Sequence, residues 1–548
     1  MKKINLEAII LIIFSAAFLW FAASNILGNS ANNEYPIGYL ASDSFQNYGI
    51  AEGIKNSGNY KYQPLSVAGG FKDVVGTHYP IIYHVSGLLS YTGNIETHDS
   101  LMVMIILTLL TTALVMYLII RKFSKSAAIL ALPLMLLVSF GKFSSAITWG
   151  QHGAITGSLF LVALLWAFSR FELDELFFII IFISASFFGH QPEAVLGVFF
   201  ILLYFLIKFL RKELKAKDIK RIVIAGVITF AITFYYFIIF RYAWVSAGFS
   251  KLDVTTVQEF VASRAFPAVL LLKDFNPVVL IFSLIGLIML IFLFFTKKKT
   301  SITAMLFLFL LGFTNYIGFS SRAFQQRFLW PIYISALFGI GIYFILKLAF
   351  KKSSIIYSSA LFLITLIIFL IGYSGDTTAS SMMDPYHWDS FKWIRENVNE
   401  DKKVYFFYQD MISQRSVYYG SSQRESYVLD VQDFIGDINE GLIKRSYKMS
   451  LSAEGGADLP YRTSLFGFGR HLPEVIERMK DRVDVCSMDY IVFDKVSRQQ
   501  ELANYNMIIA VKLLENDWIR EVYANQVVSI LENTRTGEDC INEQGINE

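Results

Sequence analysis

Apolar residues along this chain come in long unbroken blocks rather than in alternating or single-face patterns. The first block covers about 6–27. Ten more follow near 100–120, 126–141, 151–169, 176–189, 193–210, 222–242, 277–296, 301–319, 331–349 and 354–373. Most are close to the ~20 residues that a helix needs to cross the hydrocarbon core of a bilayer. In that core only helices or closed barrels satisfy every backbone N–H and C=O, so each block predicts a spanning helix. The pattern thus predicts about eleven crossings.

Two stretches depart from it. A polar loop occupies about 28–99, and a tail over 374–548 contains no further spanning block. A smaller break, Gly189-His190-Gln191-Pro192-Glu193, splits one apolar stretch. Its proline and charge predict a tight turn between two helices. The first block is longer than the ~7–15 apolar residues of a cleaved signal, so a retained helix is expected behind Lys2 and Lys3.

Basic residues set the expected orientation. Lys2, Lys3, Arg121, Lys122, Lys125, Arg170, the 208–221 cluster, 297–299, Lys347, Lys351 and Lys352 all fall in loops on one side. Basic loops stay in the cytoplasm, which places the N-terminus inside. With an odd number of crossings the tail lies outside. In the tail, Trp388, Phe391, Ile394 and Val398 recur near helical spacing. Short β-type runs follow at 404–408, 490–493 and 527–531. The expected organisation is a membrane domain over 1–373, with 28–99 as its first outer loop, and a mixed α/β extracytoplasmic domain over 374–548.

Composition agrees. Charged residues make up 17% of the 548, against about 25% in a soluble domain; this excludes a disordered chain and argues against a soluble enzyme. A net charge of +3 is too small to point to nucleic acid. Two cysteines cannot build a disulfide framework or a four-cysteine zinc site. Both, Cys486 and Cys540, lie in the tail, where a bond between them and two separate thiols are both open.

Candidate chemistry gathers at the outer ends. Asp43 opens a segment with Phe45, Tyr48, Ile50 and Ile54, the spacing of a short helix lying on the membrane surface. Taken alone, Asp43 is either a helix cap or a working carboxylate. Tyr79 and Tyr83 belong to a Y-P-x-x-Y run that leads back towards the membrane. Gln151 and His152 open one crossing, and His190, Gln191 and Glu193 stand at the turn before another. These five either line a polar cavity or hold helices together by hydrogen bonds, and Glu193 is alternatively just solvated. Arg322 and Arg327 precede a late crossing. The arginine fork suits phosphate oxygens, and the other reading is snorkelling to headgroups.

One crossing followed by a long outer loop with an early Asp resembles the GT-C superfamily of integral-membrane glycosyltransferases. So do Asp43, Tyr48, Ala51 and Ile54 in that loop, the G-x-Y-x-Y-x-P of Gly58–Pro64, and the Y-P-x-x-Y of Tyr79–Tyr83. The Arg327–Pro331 segment, HWDSFKWIRENV, DYIVFD and EVYANQVVSILEN in the tail look similar too. Members include protein O-mannosyltransferases, aminoarabinose transferases of lipid A and single-subunit oligosaccharyltransferases. The resemblance implies a polytopic α-helical membrane protein that takes a sugar from a polyprenyl phosphate or diphosphate. The acceptor would be a glycan, lipid or protein at the outer face of the cytoplasmic membrane.

It places Asp43 at the acid that orients or deprotonates the acceptor. Arg327 and Arg322 would hold the donor phosphate, and a divalent metal, Mg or Mn, would sit on Asp43 with Glu193. The loop near 142–150, where many members carry a second acid, has none here. The acceptor signature WWDYG is absent from the tail, which counts against transfer of a whole oligosaccharide to asparagine. Two rivals remain at this stage: a transporter or flippase for a lipid-linked substrate, and a non-catalytic membrane-anchored assembly protein of the same fold.

Overall fold

A computed structural model describes residues 6–58 except 29, 31 and 41, then 80–139, 144–246, and 277–312 except 298 and 299. It further describes 329–350, 355–372, 381–407 except 400, 426–428, 445–448, 482–495, and 507–537 except 508, 509 and 512. The described parts of the apolar blocks are helices. α1 (Leu6–Ala22) runs through a π-turn to Leu27. α2 (Ser42–Ser57) and α3 (Pro80–Gly93) occupy the first polar loop. The bundle continues with α4 (Thr97–Phe123), α5 (Lys125–Leu136), the one-turn α6 (Ser145–Thr148), α7 (His152–Phe171), α8 (Leu176–Gly189) and α9 (Gln191–Leu210). It ends with α10 (Ala216–Ser246), α11 (Pro277–Thr296), α12 (Thr300–Gly312), α13 (Trp330–Phe350) and α14 (Ile355–Gly372).

Among the described residues six helices are long and apolar enough to cross a membrane: α1 with its π-turn, α4, α7, α9, α11 and α13. α5, α8, α12 and α14 are shorter apolar helices. Outward-facing Ile12, Trp20, Leu202, Phe209 and Leu284 are each more than half exposed. A soluble monomer rarely shows so large an apolar surface, whereas lipid covers it without cost. The protein is a multi-pass membrane protein. α5 is its innermost helix. Every residue from Ser126 to Leu136 is buried, and Pro133 lies inside the helix, which continues three residues past it.

The ends of the bundle differ. Glu7 at the start of α1 is paired with Arg121 at the end of α4 and lies 3.3 Å from Lys125. Its desolvation is therefore met by cations, which a buried carboxylate needs. The basic turns share that end. The opposite end carries α2, α3 and the start of α4.

Among the described residues the tail forms α15 (Pro385–Asn397) and seven strands: β1 (Val404–Phe407), β2 (Ser426–Val428), β3 (Ser446–Lys448), β4 (Arg482–Asp484), β5 (Tyr490–Asp494), β6 (Ile519–Ala524) and β7 (Val528–Asn533). The main sheet has the order β2-β1-β5-β7-β6, and β3 pairs separately with β4. β1 is parallel to β2 and β5, and β7 is antiparallel to β5 and β6. The helical spacing read from the sequence becomes the buried face of α15, where Trp388, Phe391 and Ile394 pack with Val398, and the Phe391 ring lies 6.2 Å from that of Phe406 on β1.

This domain docks on the first loop. The Trp388 ring sits 5.9 Å from that of Tyr48 and 5.6 Å from that of His98. Met382 N–H donates to the Tyr39 carbonyl at 2.9 Å. Cys486 is a disulfide cysteine, and Cys540, the one other cysteine in the sequence, lies outside the described residues.

Candidate active site

The site is built on α2. Its buried stripe of Phe45, Tyr48, Ala51 and Ile54 fixes the helix on the bundle and leaves Asp43 exposed in the first turn. Asp43 is inside the helix rather than at the cap position. Three bonds tie this turn to the α6–α7 connection. Ser44 Oγ donates to the Thr148 carbonyl at 2.7 Å, Asn47 Nδ2 to the Gly150 carbonyl at 2.8 Å, and Leu40 N–H to Thr148 at 2.9 Å. Tyr83, buried on α3, donates its hydroxyl to Asn47 Oδ1 at 2.5 Å. It thus orients the amide for Gly150. Tyr83 positions α2, and Tyr79 lies outside the described residues.

Gly150 is required twice. Its φ is +80°, a region that side chains avoid, and a Cβ there would lie 2.9 Å from the Asp43 carbonyl oxygen and closer still to Ser44 N. The backbone of Asp43 therefore rests on the turn that leads into Gln151 and His152. Sequence positions more than 100 apart meet here. His152 is buried, and its Nε2 donates to the Ile147 carbonyl at 3.0 Å. Gln151 is half-buried. Trp149 in the same turn is 46% exposed.

His190, Gln191 and Glu193 lie deeper. A Cβ on Gly157 of α7 would be 2.7 Å from His190 Cβ and 3.1 Å from Glu193 Oε2. Gly157 stands five residues beyond His152, about 7.5 Å along the helix axis. Glu193 is 2% exposed and bonded to the His190 Nδ1, so the reading of Glu193 as a solvated residue is corrected. The turn is folded inward onto α7, and the imidazole three residues back supplies the partner that a buried carboxylate needs. On α13, Tyr333 donates to Ser158 Oγ at 2.7 Å beside this pair.

Asp43 and Glu193 thus belong to different levels. Among the described residues no group of three or more His, Cys, Asp or Glu side chains comes together as a metal site. The Glu193 carboxylate is already engaged by His190. The donors present do not fit a divalent ion held by Asp43 and Glu193, and no step below runs through one. Arg322 and Arg327 lie outside the described residues.

The rim contains groups that the sequence reading passed over. Asn33 holds Asp99 through both its backbone N–H and its side-chain amide, the latter at 2.9 Å. Tyr39 donates to the His98 carbonyl at 2.8 Å. Burial and the nearby Glu52 charge push the Tyr48 phenol above its ordinary range, while Arg395 on α15 pulls the other way. Tyr48 therefore stays a neutral hydroxyl under the docked domain. Only long-range contacts reveal Asn33, Tyr39, His98 and Asp99, whereas Tyr48 was marked by its helical spacing from Asp43 and only its place under α15 was not.

No family model matches the sequence, and no curated protein matches it. Solved structures do. The chain resembles an archaeal oligosaccharyltransferase, AglB from Archaeoglobus fulgidus, solved with an inhibitory peptide and a dolichol-phosphate. That match has a TM-score of 0.55 at 14% identity, over 89% of this chain and 69% of that one. It also resembles ArnT from Cupriavidus metallidurans bound to undecaprenyl phosphate, with a TM-score of 0.51 at 11% identity over 95% and 97%. The arabinofuranosyltransferase AftD from Mycobacteria matches with a TM-score of 0.52 at 9% identity, over 96% of this chain and 40% of that one. At such identities the likeness is one of fold, and a helical membrane bundle with a helical first loop capped by an α/β domain is, in this chain, a GT-C-like fold.

Proposed function

We propose that the chain is a membrane glycosyltransferase. It moves a sugar from a polyprenyl-phosphate-linked donor to a glycan, lipid or protein acceptor at the outer face of the cytoplasmic membrane. The observation that carries this is the exposed Asp43 carboxylate on a backbone pinned to Gly150. A general base must be held in place and still be reachable by the acceptor. Asp43 accepts the proton of the acceptor hydroxyl or amide. That oxygen or nitrogen bonds to the anomeric carbon, and the lipid phosphate leaves with the electrons of the broken C–O bond. Arg327, with Arg322 five positions earlier in the sequence, is the proposed partner of the charge that grows on the phosphate. Gln151, Gln191 and His190 supply hydrogen bonds for sugar hydroxyls.

The dolichol-phosphate and undecaprenyl phosphate held by two fold neighbours support a lipid-linked donor. The position of the candidates supports an enzyme over a transporter. Transporters place ionisable groups near the midplane in interrupted helices, whereas Asp43 stands exposed in the first turn of α2, in the polar first loop. The test is transfer of a labelled lipid-linked sugar in membranes carrying wild type or Asp43→Asn. A loss of about 10²–10⁴ in rate is expected. Near-normal turnover in the variant would reject Asp43 as the base, and no transfer by wild type to any glycan, lipid or protein acceptor would favour an assembly protein.

A further inference from the structure

At the end of the bundle away from Asp43, a cavity of about 520 Å3 opens among three turns. Its walls are the α7–α8 connection, the α9–α10 connection and the first turn of α12. α7 begins beside Asp43 and ends at this cavity, so the two places are about 30 Å apart along a 20-residue helix.

The charges in its wall fall into two classes. Some are consumed by the fold. Lys208 lies 3.4 Å from Glu172 and 3.6 Å from Asp218, and Arg221 lies 2.5 Å from Asp174. Arg211 donates to the Phe294 carbonyl at 2.8 Å. Glu213 also lines the cavity and has an interaction of its own. Others are not. Lys212, Lys215 and Lys217 line the cavity and are exposed, and among the described residues none of them is within ion-pair distance of a carboxylate, although the Lys217 charge acts on Asp174 from further off. Lys212 also holds a left-handed backbone conformation, φ +57°, which glycine adopts more readily.

Cations at helix C-termini and on the cytoplasmic side are ordinary. Those tendencies account for basic residues, but not for three lysine side chains without ion pairs gathered on one cavity whose other walls are braced by ion pairs. Phe209 and Leu210, next to the cavity wall, are 66% and 70% exposed, which puts the cavity mouth at the level where lipid tails meet headgroups. We propose that this cavity binds a phosphate-bearing anion, the headgroup of an acidic phospholipid in the leaflet opposite the Asp43 end. Basic pockets between spanning helices take such headgroups, and charge selects them over zwitterionic ones. The site depends on neither Asp43 nor the transfer reaction.

The test uses the full chain purified in neutral detergent. Phosphatidylglycerol, phosphatidylcholine and inorganic phosphate are added separately, and binding is read by native mass spectrometry and by thermal unfolding. The proteins are wild type, the Lys212→Gln/Lys215→Gln/Lys217→Gln triple variant, and Lys347→Gln as a charge control at the same end. Wild type and the control should retain phosphatidylglycerol and be stabilised by it. The triple variant should bind it about tenfold more weakly or worse. Equal binding by the triple variant, or equal binding of phosphatidylcholine, would overturn the site. Full stabilisation by inorganic phosphate at matched concentration would reject the lipid as the source and assign a soluble phosphate. If the triple variant is not recovered folded, Lys215→Gln against Lys347→Gln decides by the same criterion.

Discussion

Asn47 and Gly150 are joined by one hydrogen bond of 2.8 Å, from side-chain amide to backbone carbonyl, across 103 positions of sequence. That bond, with the Ser44–Thr148 bond beside it, sets where Asp43 stands relative to α7.

Substitution of Gly150 should therefore reach the site without touching a reacting group. Gly150→Ala combines an unfavourable φ with a Cβ pressed on Asp43, and should cost about 1–3 kcal/mol. Part of that strain should be relieved by moving α2, so transfer should fall further than stability alone explains. Asn47→Ala should show the same pattern more mildly, at about 1 kcal/mol. Thermal unfolding measured beside the transfer rate checks both, and unchanged rates in a destabilised Gly150→Ala would reject the positioning role.

The two carboxylates should separate cleanly. Asp43→Asn should leave the unfolding temperature unchanged and remove transfer. Glu193→Gln alters the buried carboxylate that is bonded to the His190 imidazole and should cost about 1–3 kcal/mol of stability. Equal loss of stability in both variants would show that Asp43 is structural as well.

A third prediction concerns pH and the docked domain. His387 on α15 lies 2.5 Å from Asp384 through Nδ1 and 3.6 Å from the buried Asp494 of β5 through Nε2. Burial works against its charge, but the two carboxylates prevail and push it up to about 9 from an ordinary 6.5. The stabilisation is complete below pH 6.5 and is lost as pH rises towards 9, on the order of 3 kcal/mol over that window. Asp384 is held below its ordinary range, the burial that opposes this being outweighed by the His387 hydrogen bond. Its own contribution is therefore lost only at acid pH. The stability of wild type against unfolding should fall between pH 6.5 and 9, and His387→Gln should flatten that slope. An identical slope in the variant would remove the assignment.

The fourth prediction is topological. Protease added to intact spheroplasts should digest a tail of about 175 residues. The same end of the bundle should carry the first loop, since Trp388 touches Tyr48. Protection of the tail would invert the side on which every site stands.

Much of the fold was legible because membrane helices announce themselves by length and apolarity. The blocks at 176–189 and 277–296 coincide with α8 and α11 to the residue. β1, β5 and β7 were legible as short β-type runs, whereas β6 was not. As an edge strand it carries exposed Arg520 and Glu521 and a bulge near Val522, so it does not read as a half-buried strand. The site was legible in its parts and not in its arrangement. Asp43 and His152 were each visible at a helix start, but their proximity depends on the +80° φ of Gly150. The His190–Glu193 spacing was visible, whereas burial of Glu193 depends on Gly157 leaving room.

The way α15 sits on the first loop has a consequence for how the molecule holds together. Trp388 is seated between Tyr48 and His98, and the Met382 amide is bonded to Tyr39. The α/β domain is thereby fastened to the second and fourth helices of the chain and does not hang from α14 alone. Its covalent connection is then a matter of effective concentration rather than of attachment. A nick between α14 and α15 would leave a two-piece molecule held by its aromatic seat, while loss of Trp388 would leave an intact chain with its cap adrift.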